Sequence, residues 1–437
     1  MSYDVDAVRV RYPALADGWA YLDGAAGTQV PTAVIEAEAA AYAAGIGNHG
    51  GFFAASARSD AHSRAAREAI VDLVGAPSAD GVALGPSMTA LTYRFADGLS
   101  KTWREGDEIV LTRLDHDANV RPWVQAAARV GATVRWAVPT LPEVELPVEE
   151  VTRHLTHRTR LVAVTAASNV VGTRPDLPTV AAAAHAAGAL VYVDGVHATP
   201  HTPVDVAALG ADLYATSAYK WSGPHLACVV GDPAVLETVR PDKLASASDD
   251  VPDRFEYGTS PFAQHAGLAA AVEHLAGLAE LVGAAGHTGP TDHTGPSDRA
   301  RPLDRDRPSD RAEPAVAAPA GRRARVLASM AAVEAYEASL LRRLLDGLAA
   351  MDHVERFGAP ARQAPTVWFR VSGLSPDEVA QHCAKAEVNV WSGHNYAWEL
   401  AGLLGIRERG SAVRASLSCY SSAEDVDRLL AAVAALG

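Results

Sequence analysis

The stretch "RTRLVAVTAASNVVGTRPDLPTVAAAAHAAGALVYVDGVHATPHTPVDVAALGADLYATSAYK", residues 158–220, decides the fold. "RTRLVAVTAAS" is a strand, apolar and β-branched at its centre. "DLPTVAAAAHAAGA" is a helix closed by Gly188. "LVYVDGVHATP" is a second strand, and "DLYATS" is a third. The same alternation runs upstream through "EIVLTRLDH", "RPWVQAAARVGA" and "TVRWAVPT". Repeated β-α-β units predict an α/β fold with right-handed crossovers, a mostly parallel central sheet and helices on both faces. Ligands of such sheets bind beyond the carboxyl ends of the strands. The polar residues just after each apolar strand are therefore the candidates for chemistry.

The chain has 437 residues, 49% hydrophobic and 21% charged, enough for a large core and more than one domain. Its formal net charge of −14 argues against a nucleic-acid surface or an anionic membrane face. Cys228, Cys383 and Cys419 are dispersed, with no paired or metal-ligand spacing. No metal site is expected, and a reducing, cytoplasmic setting is. The opening "MSYDVDAVRVRYPAL" has no apolar core of a signal peptide, and no run is long and apolar enough for a membrane span.

The expected organisation has five parts. Residues 1–20 form an N-terminal segment packing with the small domain, and 21–262 form the large domain. Residues 263–286 form a connecting helix, and 322–437 form a small α+β C-terminal domain. Between these, 287–321 carries a near repeat (HTGPTD, HTGPSD), many prolines and balanced charge. Such a composition buries too little to offset its ordering entropy, so a disordered insertion is expected. Ser375 and Ser421 or Ser422 are candidate helix N-caps, with Pro376 suited to the first helical position.

Five polar groups near strand ends stand out. "GPSMT", Gly85 to Thr89, opens a helix, so Ser87 and the N–H groups after it suit a phosphate, or Ser87 is only an N-cap. His116 follows a strand and either stacks on a planar ligand or serves structure; Asn169 is equally open. Asp194 ends a buried strand, where a carboxylate needs a cationic partner, and His197 lies three residues on. Lys220 is one of only four lysines in the chain, with Ser217 three residues before it. A lysine in an apolar site has a lowered pKa and can form a Schiff base, whereas a surface lysine simply extends its amine into solvent. The conjunction of phosphate turn, histidine, strand-end aspartate and lysine matches the parts of pyridoxal 5′-phosphate.

The chain resembles the class V aminotransferase superfamily, and within it the cysteine desulfurase-like proteins of fold type I. The resemblance rests on "YLDGAAGTQVP", "DHDANVRPW", "SNVVGT", "VDGVHATPHTPVDVAALGADLYATSAYK", "EYGTSP" and "VRASLSCYSSAEDVDRL". It implies that Lys220 carries the cofactor as a Schiff base and shuttles the Cα proton. Asp194 then pairs with the pyridinium nitrogen, and His116 stacks on the ring. His197 stands where relatives often have a glutamine near the ring 3-oxygen. Ser217, Ser87, the backbone at Met88 and Thr89, and Thr259 hold the phosphate. Thr259 comes from a neighbouring subunit, which implies a homodimer with shared active sites. Asn169 and Arg414 bind the carboxylate of an amino-acid substrate, and Tyr219 replaces a histidine common just before the lysine.

One departure bears on the reaction. Desulfurases carry a nucleophilic cysteine in a small-domain loop, within a "TGHHCA"-like stretch. This chain reads "SGHNYA" from Ser392 to Ala397, with Tyr396 in the cysteine position beside His394 and Asn395. A phenol cannot accept sulfur as a persulfide, because that step needs a thiolate. The expected reaction is C–S lyase chemistry, a β-elimination on a cysteine derivative without a protein persulfide. Transamination or racemisation on the same scaffold is the alternative, and a non-catalytic sulfur-carrier partner is a third.

Overall fold

The computed structural model describes residues 3–282 and 321–437. Most of the expected insertion, 287–320, lies outside the described residues.

The large domain is built on seven strands: β1 (Val82–Gly85), β2 (Glu108–Thr112), β3 (Thr133–Ala137), β4 (Thr159–Thr165), β5 (Leu190–Asp194), β6 (Leu213–Ser217) and β7 (Ala227–Gly231). Their order is β1-β7-β6-β5-β4-β2-β3. Strands β3, β2, β4, β5 and β6 are mutually parallel, and β7 runs antiparallel to both β6 and β1. The expected mostly parallel sheet is present.

The alternation of side chains explains why β4 and β5 read as continuous apolar runs. Val162, Val164, Val191 and Val193 enter one core, with Ala69, Ile70, Val180, Leu268 and Val272 from covering helices. Leu161, Ala163 and Tyr192 enter the other, with Phe95, Leu99, Trp123 and Ala126. A strand buried on both faces has no polar position to spare until it ends. Thr165, Asp194 and Ser217 are the last residues of β4, β5 and β6, where the apolar runs give out.

The small domain holds four antiparallel strands, β8 (Val354–Phe357), β9 (Thr366–Val371), β10 (Trp391–Gly393) and β11 (Ala412–Ser416), in the order β10-β11-β9-β8. Helices Arg322–Ala349, Pro376–Lys385 and Ala423–Ala434 bury Leu340, Leu344, Val379, Val426 and Leu429 against this sheet. Capping boxes start the last two: Ser375 with Glu378, and Ser422 with Asp425. The N-terminal segment reaches the same domain. Ala20 pairs with Val388, and Arg9 meets Asp425 at 2.7 Å.

The connection differs from expectation. The helix Phe262–Ala276 ends at Gly277, and Leu278–Val282 continue as a tighter 3₁₀ turn. The apolar pattern carries across Gly277, which is why the sequence reads as one helix. Among the described residues, no helix is long and apolar enough to cross a membrane.

Gly195, directly after Asp194, shows how closely the strand ends are packed. A β-carbon there would lie 1.9 Å from Cζ of Tyr214. Replacing Gly195 by alanine is expected to cost about 1–3 kcal/mol through overpacking. Urea unfolding of the G195A protein checks this, and an unchanged midpoint contradicts the packing described.

Candidate active site

The carboxyl ends of the parallel strands meet the small domain at two adjoining cavities. The inner one is lined by Met88, Thr89, His116, Thr165, Asn169, Asp194, His197, Ser217, Tyr219 and Lys220, among others. The outer one shares His116, Asn169, Tyr219 and Lys220 and adds Ala25, Ala26, Trp391, His394, Asn395, Tyr396 and Arg414. Residues separated by more than 300 positions in the chain thus face one connected space.

Asp194 and Lys220 are placed by the ends of neighbouring strands. Asp194 closes β5, and the Val196 N–H donates to its Oδ1 at 2.9 Å. Burial raises the Asp194 pKa, while that hydrogen bond and the Lys220 charge pull the other way. Lys220 sits on the 3₁₀ turn Ala218–Lys220 immediately after β6. Its amine is held down at about 8, by burial first and then by Arg414, with Asp194 opposing. A substantial neutral fraction therefore exists near physiological pH.

His116 caps the turn Asp117–Asn119, and its Nδ1 accepts from the Ala118 N–H at 3.0 Å. That bond puts the ring proton on Nε2. Burial, with Lys220, Arg414 and His394 nearby, lowers its pKa to about 3, so the imidazole is neutral. Arg414, on β11, is 4% exposed and donates to the Asn169 carbonyl at 3.3 Å. Burial lowers its pKa to about 10, with Asp23 opposing.

Four buried polar atoms around these cavities have no hydrogen-bond partner among the described residues: Asn169 Oδ1, His197 Nδ1, Ser217 Oγ and Arg414 Nε. Unmet buried polar groups are costly, and their gathering marks a space shaped for a polar ligand. A carboxylate at one strand end, a free hydroxyl at the next, an uncharged flanking imidazole and a lysine with lowered pKa fit pyridoxal phosphate.

Not every expected residue lies in the cavities. Ser87 is an N-cap whose Oγ accepts from the Ala90 N–H at 3.1 Å, and it does not line the cavity; Met88 and Thr89, just after it, do. Thr259 is exposed and lies outside both cavities. It neighbours a separate cleft lined by His49, Gly258, Ser260 and Phe262. Asn169 commits one amide N–H to the Asn395 carbonyl at 2.7 Å.

The loop carrying Tyr396 is fastened to the large domain. Its carbonyl accepts from the Asp117 N–H at 2.8 Å, and its ring lies 5.0 Å from that of His116. Arg121 spans Asp117 and Glu399, at 2.8 Å to each. Sequence reasoning passed over Thr165, although it is a polar strand end like Asp194. It also passed over Thr366, which packs against His197 from the small domain and has no local signature.

The family model described as aminotransferase class-V matches residues 20–284 and 320–429. The chain is 32% identical, over 441 residues and 100% of both proteins, to an uncharacterized protein of Mycobacterium tuberculosis. It is 30% identical over 451 residues to a cysteine desulfurase of Klebsiella pneumoniae, covering 99% of this chain and 98% of that one. The structure of the cysteine desulfurase CsdA of Escherichia coli matches with a TM-score of 0.79 at 27% identity, covering 99% of this chain and 98% of the other.

The Lys220 environment sets the pH at which the amine reacts. In cofactor-free protein, the rate of pyridoxal phosphate capture should fall as pH drops through about 8. Removing a neighbouring positive charge raises an amine pKa, so Arg414→Ala should move the profile to higher pH, and Asp194→Asn should move it lower. Stopped-flow absorbance across pH measures both. A profile governed by an ordinary lysine pKa would contradict the geometry.

Proposed function

The chain belongs to the class V aminotransferase family and is a pyridoxal-phosphate enzyme related to cysteine desulfurases; from this premise we propose that it cleaves a C–S bond of a cysteine derivative by β-elimination, without a protein persulfide. The observation that carries the proposal is the thiol inventory. Tyr396 stands on the loop facing Lys220 and Arg414, and Cys228, Cys383 and Cys419 are all buried. Burial pushes their thiols up to about 12, 11 and 12. None is a ready thiolate at neutral pH.

Bound pyridoxal phosphate supplies an electron sink for the substrate Cα. In this reading Lys220 would hold the cofactor, Asp194 would pair with its ring nitrogen, His116 would cover a ring face, and Ser217, with Met88 and Thr89, would hold the phosphate. Arg414 and the remaining N–H of Asn169 bind the substrate carboxylate. That grip would turn Cα toward Lys220, whose Nζ, released when the substrate amine takes its place on the cofactor, would be the neutral amine that takes the Cα proton. Departure of the β-sulfur then requires no acceptor from the protein. The products are a thiol or sulfide, pyruvate and ammonia, with one water consumed.

The mouth favours a substrate larger than free cysteine. Trp391 and Tyr396 are both more than half exposed, and His394 lies between Tyr396 and Trp398 with ring distances of 6.0 and 5.3 Å. These rings offer apolar and π surface to a group carried on sulfur. A second copy of the chain is proposed to complete the phosphate site through Thr259. Phe52, Phe53 and Tyr257 are exposed on neighbouring segments and would be covered by such a partner.

A panel of cysteine S-conjugates should yield pyruvate and ammonia in equal amounts, with no persulfide on the protein by mass spectrometry. Lys220→Ala should lower the rate by about 10²–10⁴, the usual worth of a general base. Absence of product across the panel overturns the proposal. A pyridoxamine absorption appearing with an amino donor, and reversing with an oxo acid, would assign transamination instead. Solvent deuterium at Cα without turnover would assign racemisation.

A further inference from the structure

The residue at position 197 is a histidine, and unlike an amide it has to be told which nitrogen carries its proton. His197 follows Asp194 by three residues, lines the inner cavity and is 2% exposed. Its Nε2 lies 2.9 Å from Oγ1 of Thr366, on β9 of the small domain. Its Nδ1 is buried and has no partner among the described residues. On the far side the ring meets His201 edge-on, with centroids 4.9 Å apart. His201 Nδ1 is in turn 2.9 Å from Oε2 of Glu337, on the helix Arg322–Ala349. The imidazole is thus held between the two domains.

Counting protons decides the tautomer. Thr366 Oγ1 is fully buried, and its one hydrogen bond among the described residues is to His197. Suppose Nε2 carried the proton. It would donate to Thr366, leaving the hydroxyl proton with no acceptor and the Nδ1 lone pair bare. Suppose instead that the hydroxyl donates to Nε2. Then the Thr366 proton is satisfied, and a single Nδ1–H remains, on the ring that lines the cofactor cavity. A buried unsatisfied group costs about 1–3 kcal/mol, so the second arrangement prevails. Burial, with His201, Lys220 and Arg414 nearby, holds the imidazole well below its ordinary pKa. It is neutral and carries one N–H.

We propose that Thr366 is a positioning residue that fixes His197 as the Nδ1–H tautomer, making His197 a hydrogen-bond donor to the ring oxygen of the bound cofactor. Pyridoxal phosphate has one oxygen directly on its ring, beside the carbon that joins Lys220. A donor to that oxygen stabilises its negative charge and weakens its hold on the proton shared with the lysine nitrogen. The donor therefore lowers the pKa of the lysine–cofactor linkage. The small domain, through one hydroxyl, tunes a group bound by the large one. The inference rests on the cofactor and is independent of which substrate bond is broken.

The test titrates the visible absorption band of the holoenzyme against pH. Thr366→Val should raise its midpoint by roughly 0.7 unit, the equivalent of one neutral hydrogen bond. Thr366→Ser, which keeps the hydroxyl, should restore it. In a His197→Gln background, whose amide donates without tautomer control, Thr366→Val should leave the midpoint unmoved. A purely structural role for Thr366 predicts the same shift in both backgrounds and would overturn the proposal, as would no shift with His197 present. Should the valine variant fail to fold, ¹⁵N-histidine NMR of the unmutated holoenzyme decides directly. A His197 signal protonated at Nδ1, identified by its loss in His197→Gln, is expected, and protonation at Nε2 refutes the inference.

Discussion

The constraint on which the site depends is desolvation. Asp194, Lys220 and Arg414 are each no more than 6% exposed, and none can rely on water for its charge. Without close salt bridges among them, burial acts on all three. It raises the carboxyl and lowers the amine and the guanidinium. The parallel sheet creates this condition. Strands buried on both faces bring the chain deep into the protein, so the polar groups at their carboxyl ends emerge in a dry layer. A lysine and an arginine there have their pKa values lowered because they are poorly solvated. The unpartnered atoms of Asn169, Ser217 and Arg414 express the same imbalance in hydrogen-bonding terms.

This explains what could be read in advance. Two-sided burial gives β4, β5 and β6 their apolar runs, and the run's end draws attention to Asp194 and Lys220, while the roles of Lys220 and Ser217 come only with the conjunction of groups and the family resemblance. Helix boundaries with side-chain caps are equally legible: Ser375 and Ser422 announce theirs through hydroxyls and following acids. Ser87 shows the limit of that signal. A serine at a helix start can cap the helix or bind a ligand, and here its hydroxyl is committed to the Ala90 N–H.

What stayed illegible depends on contacts between distant segments. Thr366 lies in an ordinary strand pattern, and only the docking of β9 against the large domain brings it to His197. Asp23 is similar. Its carboxyl sits near Arg414, is raised by burial and keeps Oδ1 unpartnered, yet the sequence around it offers no charge partner. Short β1 and β8, at four residues each, carry too little alternation to stand out. The break at Gly277 escapes because glycine within an apolar helix pattern is tolerated as often as it terminates one.

The loop at Tyr396 joins the two themes. Asn395 and Tyr396 both have positive φ, 47° and 59°. Such a conformation is unfavourable for tyrosine by about 1–2 kcal/mol. It persists because the loop carbonyls are claimed from below: that of Asn395 by Asn169, that of Tyr396 by Asp117, with Arg121 and Glu399 beside them. A residue that must deliver a nucleophile to a substrate sulfur needs a loop able to advance and withdraw. A residue that shapes a mouth needs a loop that stays. In this chain the loop carries a phenol at position 396, and the tethers fasten it to the large domain. The left-handed backbone at Asn395 and Tyr396 and the tethers beneath it thus belong to one arrangement, in which the large domain holds the conformation of a small-domain loop.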